Sequence, residues 1–143
     1  MPRNEGIDEE VRNGLMSMEK IFRNIANRAS LVVKDVSTDF LFTGDIDDTI
    51  LNEYLNFGDQ AYFLIEAPHH GGYYGSAFDN VSTQVLIISR EDDYTPDYRF
   101  YRDLSWKILV DTAKNGNCIV QPGRGKRSIV CLNSAAHVLV CFL

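Results

Sequence analysis

No run in these 143 residues approaches the ~20 consecutive apolar residues that a membrane span takes, and the opening Met-Pro-Arg-Asn-Glu-Gly holds no apolar signal core. The expectation is a cytoplasmic chain. Basic charge is scarce as well. Lys and Arg number 14 against 20 Asp and Glu, which leaves a net charge of −6. A general basic surface for duplex nucleic acid takes clustered Lys and Arg, so the composition argues against that class. A metal nuclease is not, because its cations meet the phosphate. Cysteine is limited to Cys118, Cys131 and Cys141, an odd count with no CxxC spacing. All three lie in apolar, strand-like runs, and they read as buried reduced thiols rather than a disulfide framework. Histidine is limited to His69, His70 and His137. There is no internal repeat and no low-complexity segment.

What is present is the composition of a single globular domain, with 45% hydrophobic, 11% aromatic and 24% charged residues. Residues 1–8 are polar and read as loose. Two stretches stand out. Asp39-Phe40-Leu41-Phe42-Thr43-Gly44-Asp45 and Ala61-Tyr62-Phe63-Leu64-Ile65-Glu66-Ala67-Pro68-His69-His70-Gly71-Gly72 are apolar runs of strand length that stop abruptly. Runs of this kind read as buried strands. As neighbours in one sheet they would present Asp45 and His69/His70 at the same edge. A carboxylate and an imidazole together suit a borderline metal such as zinc or manganese. The plainer alternative is a Gly-Asp turn beside a polar His-His loop.

The rest of the chain alternates helix and strand patterns. Residues 9–27 carry an apolar stripe of Val11, Leu15, Met18, Phe22 and Ile25, with Asp8 placed as N-cap and Glu9 and Glu10 in the first turn. This stripe is expected to pack on the domain, or else on a partner chain. Strands are expected over 29–36, 39–43, 62–66 and 81–89, with a helix over 49–57 capped by Asp47 or Asp48. The cluster of Asp45, Asp47 and Asp48 lacks the loop of an EF-hand. Thr95 followed by Pro96 predicts a helix running to about residue 114 with Phe100, Leu104, Ile108 and Leu109 inward. Residues 118–121 and 128–132 read as a hairpin around a basic tip holding Arg124, Lys126 and Arg127, and 138–142 as a last strand. The tip fails the P-loop pattern, since a strand follows it. Tyr73, beside Gly71 and Gly72, reads as pocket lining, or as a ring on a flexible surface loop.

Four motifs occur in order at compact spacing: Asn27-Arg28-Ala29-Ser30-Leu31-Val32-Val33, Phe42-Thr43-Gly44-Asp45, Ala67-Pro68-His69-His70-Gly71-Gly72 and Val85-Leu86-Ile87-Ile88-Ser89. Together they resemble the metallo-β-lactamase superfamily, in the branch related to the hydrolase domain of bacterial DNA-uptake (competence) proteins. The resemblance covers roughly residues 27–132. It implies an α/β fold, half of an αββα sandwich with a mixed sheet and flanking helices. It implies that Asp45 bridges two metal ions, Zn²⁺ or Mn²⁺, with His69 or His70 as the terminal ligand of one of them. Asn27, Ser30, Gly71, Tyr73 and Ser76 then fall on the substrate side. Gly72 stands where the family has Ser, and Ser76 is the substitute. The family's main metal motif, His-x-His/Asp-x-Asp-His, is absent from this chain.

The functional expectation is a metal-dependent hydrolase acting on phosphodiester bonds, in nucleic acid or a nucleotide, with part of the metal site missing. The alternative is a non-catalytic fragment or subunit that binds a partner carrying the other half of the fold. Either predicts association, as a homo-oligomer or with a second chain, because an exposed inner sheet face would otherwise meet water.

Overall fold

The structure, a computed structural model, describes residues 9–54, 57, 60–121, 128–132 and 138–142. The sequence expectations for Asp8, His137 and the basic tip with Arg124, Lys126 and Arg127 lie outside these residues. Helix α1 spans Glu9–Arg28, with acidic residues in its first turn and Arg28 in its last, the polarity that suits the helix dipole. The short strands β1 (Val33–Asp35) and β2 (Phe40–Phe42) follow, then α2 (Asp48–Tyr54), β3 (Ala61–Glu66) and β4 (Ser82–Ile88). Beyond them lie α3 (Arg99–Arg102), β5 (Ser105–Asp111), α4 (Thr112–Asn115), and the strands β6 (Asn117–Gln121), β7 (Ser128–Leu132) and β8 (Val138–Phe142).

The fold is α/β. A five-stranded mixed sheet runs in the order β1-β2-β3-β4-β5, and β6-β7-β8 form a second, antiparallel sheet. Strand β1 is antiparallel to β2, while β2, β3, β4 and β5 are mutually parallel. Parallel neighbours need crossovers. These crossovers carry α2, the turn Ser76–Phe78 and α3, and their apolar residues Leu51, Phe78 and Phe100 are buried with Leu41, Ile65, Leu86 and Ile88 from the strands. The opposite face buries Phe40, Phe63, Leu64, Val85 and Val110, against which Cys118 and Val120 of β6 pack. The run Val85-Leu86-Ile87-Ile88 thus divides between both faces, the signature of a parallel strand covered on two sides.

Three sequence expectations are corrected. The predicted helix over residues 95–114 is a single turn, α3, followed by strand β5. Asp97, rather than Thr95, holds its start, accepting the Arg99 backbone N–H at 2.9 Å. The segment Ser-Trp-Lys-Ile-Leu-Val-Asp is rich in residues that favour strands, and six of its positions align with β4. Pairing along a buried parallel edge overrides an apolar spacing that also fits a helix. Second, the apolar stripe of α1 does not pack on the domain. Of the helix's residues only Asn27 is buried, and Val11, Leu15, Met18, Phe22 and Ile25 are all exposed. Third, Cys118 is disulfide-bonded where the sequence predicts a free thiol. It stands directly opposite Cys131 in the β6–β7 register, and cross-strand partners bring their Cα atoms within disulfide reach.

Candidate functional site

Strands β2 and β3 are adjacent and parallel, with Phe40 beside Leu64 and Leu41 beside Ile65. Their C-terminal ends therefore release Asp45 and the His69-His70 pair at one edge of the sheet, where open α/β sheets characteristically place their sites. The two loops are tied together. The His69 N–H donates to the Gly44 carbonyl at 2.8 Å, and the Thr43 hydroxyl donates to the Glu66 carbonyl at 2.7 Å.

The loop after β3 is a strained turn. His69 and His70 both take left-handed backbone, with φ of 49° and 57°. Such conformations cost about 1–2 kcal/mol per non-glycine residue and persist only where the surroundings fix them. Here the fixing groups are visible. The His69 carbonyl accepts from the Gly72 N–H at 2.8 Å and from the Tyr94 hydroxyl at 3.2 Å. The Gly71 carbonyl accepts from the Asp97 N–H at 2.7 Å. Gly71 itself has φ +81°, and a Cβ there would meet Ile88 at 2.9 Å and Pro96 at 3.0 Å. Only glycine fits that position.

The turn sends the two imidazoles to different partners. His70 Nδ1 lies 2.7 Å from the Ser89 carbonyl. A carbonyl only accepts, so Nδ1 carries the proton, and in the neutral ring Nε2 keeps its lone pair. Nε2 faces Asp45 Oδ1 at 3.5 Å. His69 Nδ1 lies 3.3 Å from Asn27 Nδ2. With the amide in this orientation, its N–H donates to the ring and occupies that nitrogen. The His69 ring also lies against Tyr73, with centroids 4.5 Å apart and planes tilted by 30°.

Asn27 organises the entry to the site from the end of α1. Besides its contact with His69, its carbonyl accepts from the Ser30 N–H at 3.1 Å and the Asp47 N–H at 3.2 Å. Ser30 sits beside Gly44, where its Oγ would lie 4.0 Å from a Cβ. Asp47 caps α2, accepting the Thr49 N–H at 2.9 Å. Ser76 is exposed at the start of the turn that packs against α2, and it forms no part of the two clefts that flank the histidines. One cleft, of about 430 Å³, opens beside His70 between Ser89, Arg90 and Tyr94. The other, also about 430 Å³, opens beside His69 and Tyr73 under the Lys20, Arg23 and Asn27 side of α1.

Two groups at this edge escaped the sequence reading. Glu66, the last residue of β3, is half-buried. Burial pushes its carboxyl above the ordinary range and the Asp45 charge adds to that, while His70 opposes it. Its position at the end of a parallel strand, three residues before His69, was the available signal. Tyr94 arrives from the loop after β4, which nothing in its sequence marks as part of a site. Burial raises the phenol of Tyr94, with Asp45 adding to it, and burial raises that of Tyr73, with Asp48 and Asp47 adding most. Both tyrosines therefore stay protonated and act as donors.

Among the described residues, no three His, Cys, Asp or Glu side chains converge as a metal ion would require. The arrangement is a pair, Asp45 with His70, ringed by Glu66, Tyr73 and Tyr94. No protein family matches the chain, and neither any curated protein nor any solved structure does.

Proposed function

We propose that this chain carries part of a metal-dependent hydrolytic centre of the metallo-β-lactamase type, acting on phosphodiester bonds of nucleic acid or a nucleotide. Asp45 and His70 are its ligands for Zn²⁺ or Mn²⁺. One observation carries the proposal: Asp45 Oδ1 and His70 Nε2 face each other at 3.5 Å while the other ring nitrogen of His70 is held by the Ser89 carbonyl. That separation exceeds a good N–H···O hydrogen bond. The Ser89 carbonyl on His70 Nδ1 is the outer partner that a metal-bound imidazole normally has.

The donor set fits an ion in part. Asp45 and His70 suit it, and His69 in its present tautomer does not, so the remaining positions fall to water or to a second chain carrying the missing half of the fold. An ion held there supplies polarisation of a phosphoryl oxygen and a water of lowered pKa. The chain's own residues supply the rest. Tyr73 and Tyr94 stay protonated and donate hydrogen bonds. Asn27 fixes the His69 ring. Glu66 holds its proton more tightly than an ordinary glutamate, which makes it the group at this edge suited to carry one.

The incomplete ligand set favours a second reading, a non-catalytic subunit that binds a partner. Metal content of the purified chain by mass spectrometry separates the two. Near-stoichiometric zinc or manganese that is lost in Asp45→Ala and His70→Ala, but retained in His69→Ala, is the expected result. Hydrolysis of bis(p-nitrophenyl) phosphate by the loaded chain would then follow the same pattern. A wild-type chain that stays empty in excess metal sinks the metal reading for this chain alone and leaves the binding subunit.

A further inference from the structure

Among the described residues, helix α1 presents an exposed apolar seam with no partner. Val11, Leu15, Met18, Ile21, Phe22 and Ile25 are each 53–63% exposed. Val11, Leu15, Met18, Phe22 and Ile25 recur at steps of four, three, four and three. This is a 3.5-residue repeat, the spacing of a coiled-coil seam, and narrower than the face of a helix that packs on a domain. The opposite side of α1, with Lys20, Arg23 and Asn27, faces the cleft over His69, so the seam points away from it. Over 20 residues the helix is about 30 Å long.

We propose that α1 pairs antiparallel with α1 of a second copy of this chain. The helix is complementary to itself in one register. With Leu15 set opposite the partner's Met18, and Val11 opposite the partner's Phe22, two-fold symmetry repeats both layers. Arg12 then flanks the partner's Glu19, and Glu19 the partner's Arg12. Ile21 lies over the partner's Gly14, where a side-chain carbon would have no atom within 4 Å and the backbone is open to a large neighbour. Glu19 already pairs with its own Arg23 at 2.6 Å, so each end of the seam gains an Arg-Glu-Arg chain.

The competing pairings lose these contacts. Sliding the helices until Met18 faces the partner's Phe22 puts Glu19 against the partner's Glu19 and Arg12 against the partner's Ala26. A parallel pair sets Glu19 beside the partner's Gly14 and has no opposite charges across the seam. Flanking charges choose register and orientation in coiled coils, and here they choose one. This pairing is independent of the metal centre.

Sedimentation velocity of the full chain over roughly 1–100 µM tests it by mass action. A concentration-dependent monomer–dimer equilibrium is expected. Phe22→Asp leaves a monomer, and because Phe22 belongs to neither buried cluster its thermal melt matches that of the wild type at dilutions where the wild type is itself monomeric. Arg12→Glu weakens the dimer about tenfold, since two symmetric pairs turn repulsive. The double variant Arg12→Glu with Glu19→Arg restores it. A wild-type monomer across the range, a dimer indifferent to Phe22→Asp, or a double swap that fails to restore pairing each overturns the proposal.

Discussion

His69 and His70 differ by one position in the chain and by almost everything in their surroundings. The separation is a backbone effect. Two successive left-handed residues turn one ring toward Ser89 and Asp45 and the other toward Asn27 and Tyr73. The sequence showed that Asp45 and a histidine would meet, since both follow strand-like runs. It did not show which histidine, because that depends on φ and ψ within the turn. The glycines beside them should resist substitution for different reasons. Gly71→Ala is expected to cost about 2 kcal/mol or more in urea unfolding, since its new methyl meets Ile88 and Pro96 at a positive φ. Gly72→Ala, at a φ of −76°, carries no left-handed strain, but its new methyl meets the His69 carbonyl oxygen at 2.9 Å and displaces the Tyr94 hydroxyl bonded to it, so it too is expected to destabilise the turn. Glu66 carries a separate expectation. Its raised pKa means that the folded state prefers the protonated acid, so ionisation costs stability once the pH rises through the folded value. Glu66→Gln should therefore raise the Tm at pH 7 by roughly 1–3 °C and leave it unchanged well below pH 4.

Among the elements, β5 shows where the sequence misleads. A helix and a parallel strand buried on both faces share the same apolar density over Ser105–Asp111, and only the neighbouring strand decides between them. The strands β3 and β4 were legible almost to the residue from their apolar runs. The end of β5 also carries a buried pair that no motif announces. Arg90 reaches Asp111 Oδ2 at 2.8 Å, and the Tyr101 hydroxyl donates to the same oxygen at 3.0 Å. Burial pushes the Asp111 carboxyl up, but the hydrogen bonds from Arg90 and Tyr101 outweigh it and hold the acid below the ordinary carboxylate range. Asp111→Ala strands a buried guanidinium and should cost about 3 kcal/mol or more. The pair's contribution is present above the unfolded pKa of about 4 and disappears as the pH falls through the depressed folded value. Urea midpoints between roughly pH 6 and pH 3 should therefore fall with acid in the wild type, and less steeply in Asp111→Ala.

For the whole molecule, the two apolar clusters place the parallel sheet between a helical layer and a second sheet. Of the helical layer the sequence anticipated α2, while the long helix expected over 95–114 is the single turn α3. The sequence also anticipated the antiparallel β6–β7 hairpin, but not that β6 would cover the far face of the main sheet. Such long-range packing leaves no local pattern. The Cys118 disulfide belongs to the same blind spot, since no sequence spacing reveals cross-strand register. The chain has three cysteines, so a bridge within it leaves one free thiol. Thiol titration of the unreduced, denatured chain should count one, and a count of three refutes the bridge.

The order of the main sheet is also the order of the chain, from β1 to β5. No strand waits for a later segment before it can pair. During synthesis each new strand emerges to find its neighbour already made, and the growing edge is always the most recent one. Such a sheet can be laid down vectorially on the ribosome, with contacts that stay near in sequence and so close quickly. The newest edge moves along with synthesis, and when β5 pairs with β4 the finished sheet keeps two edges, β1 and β5.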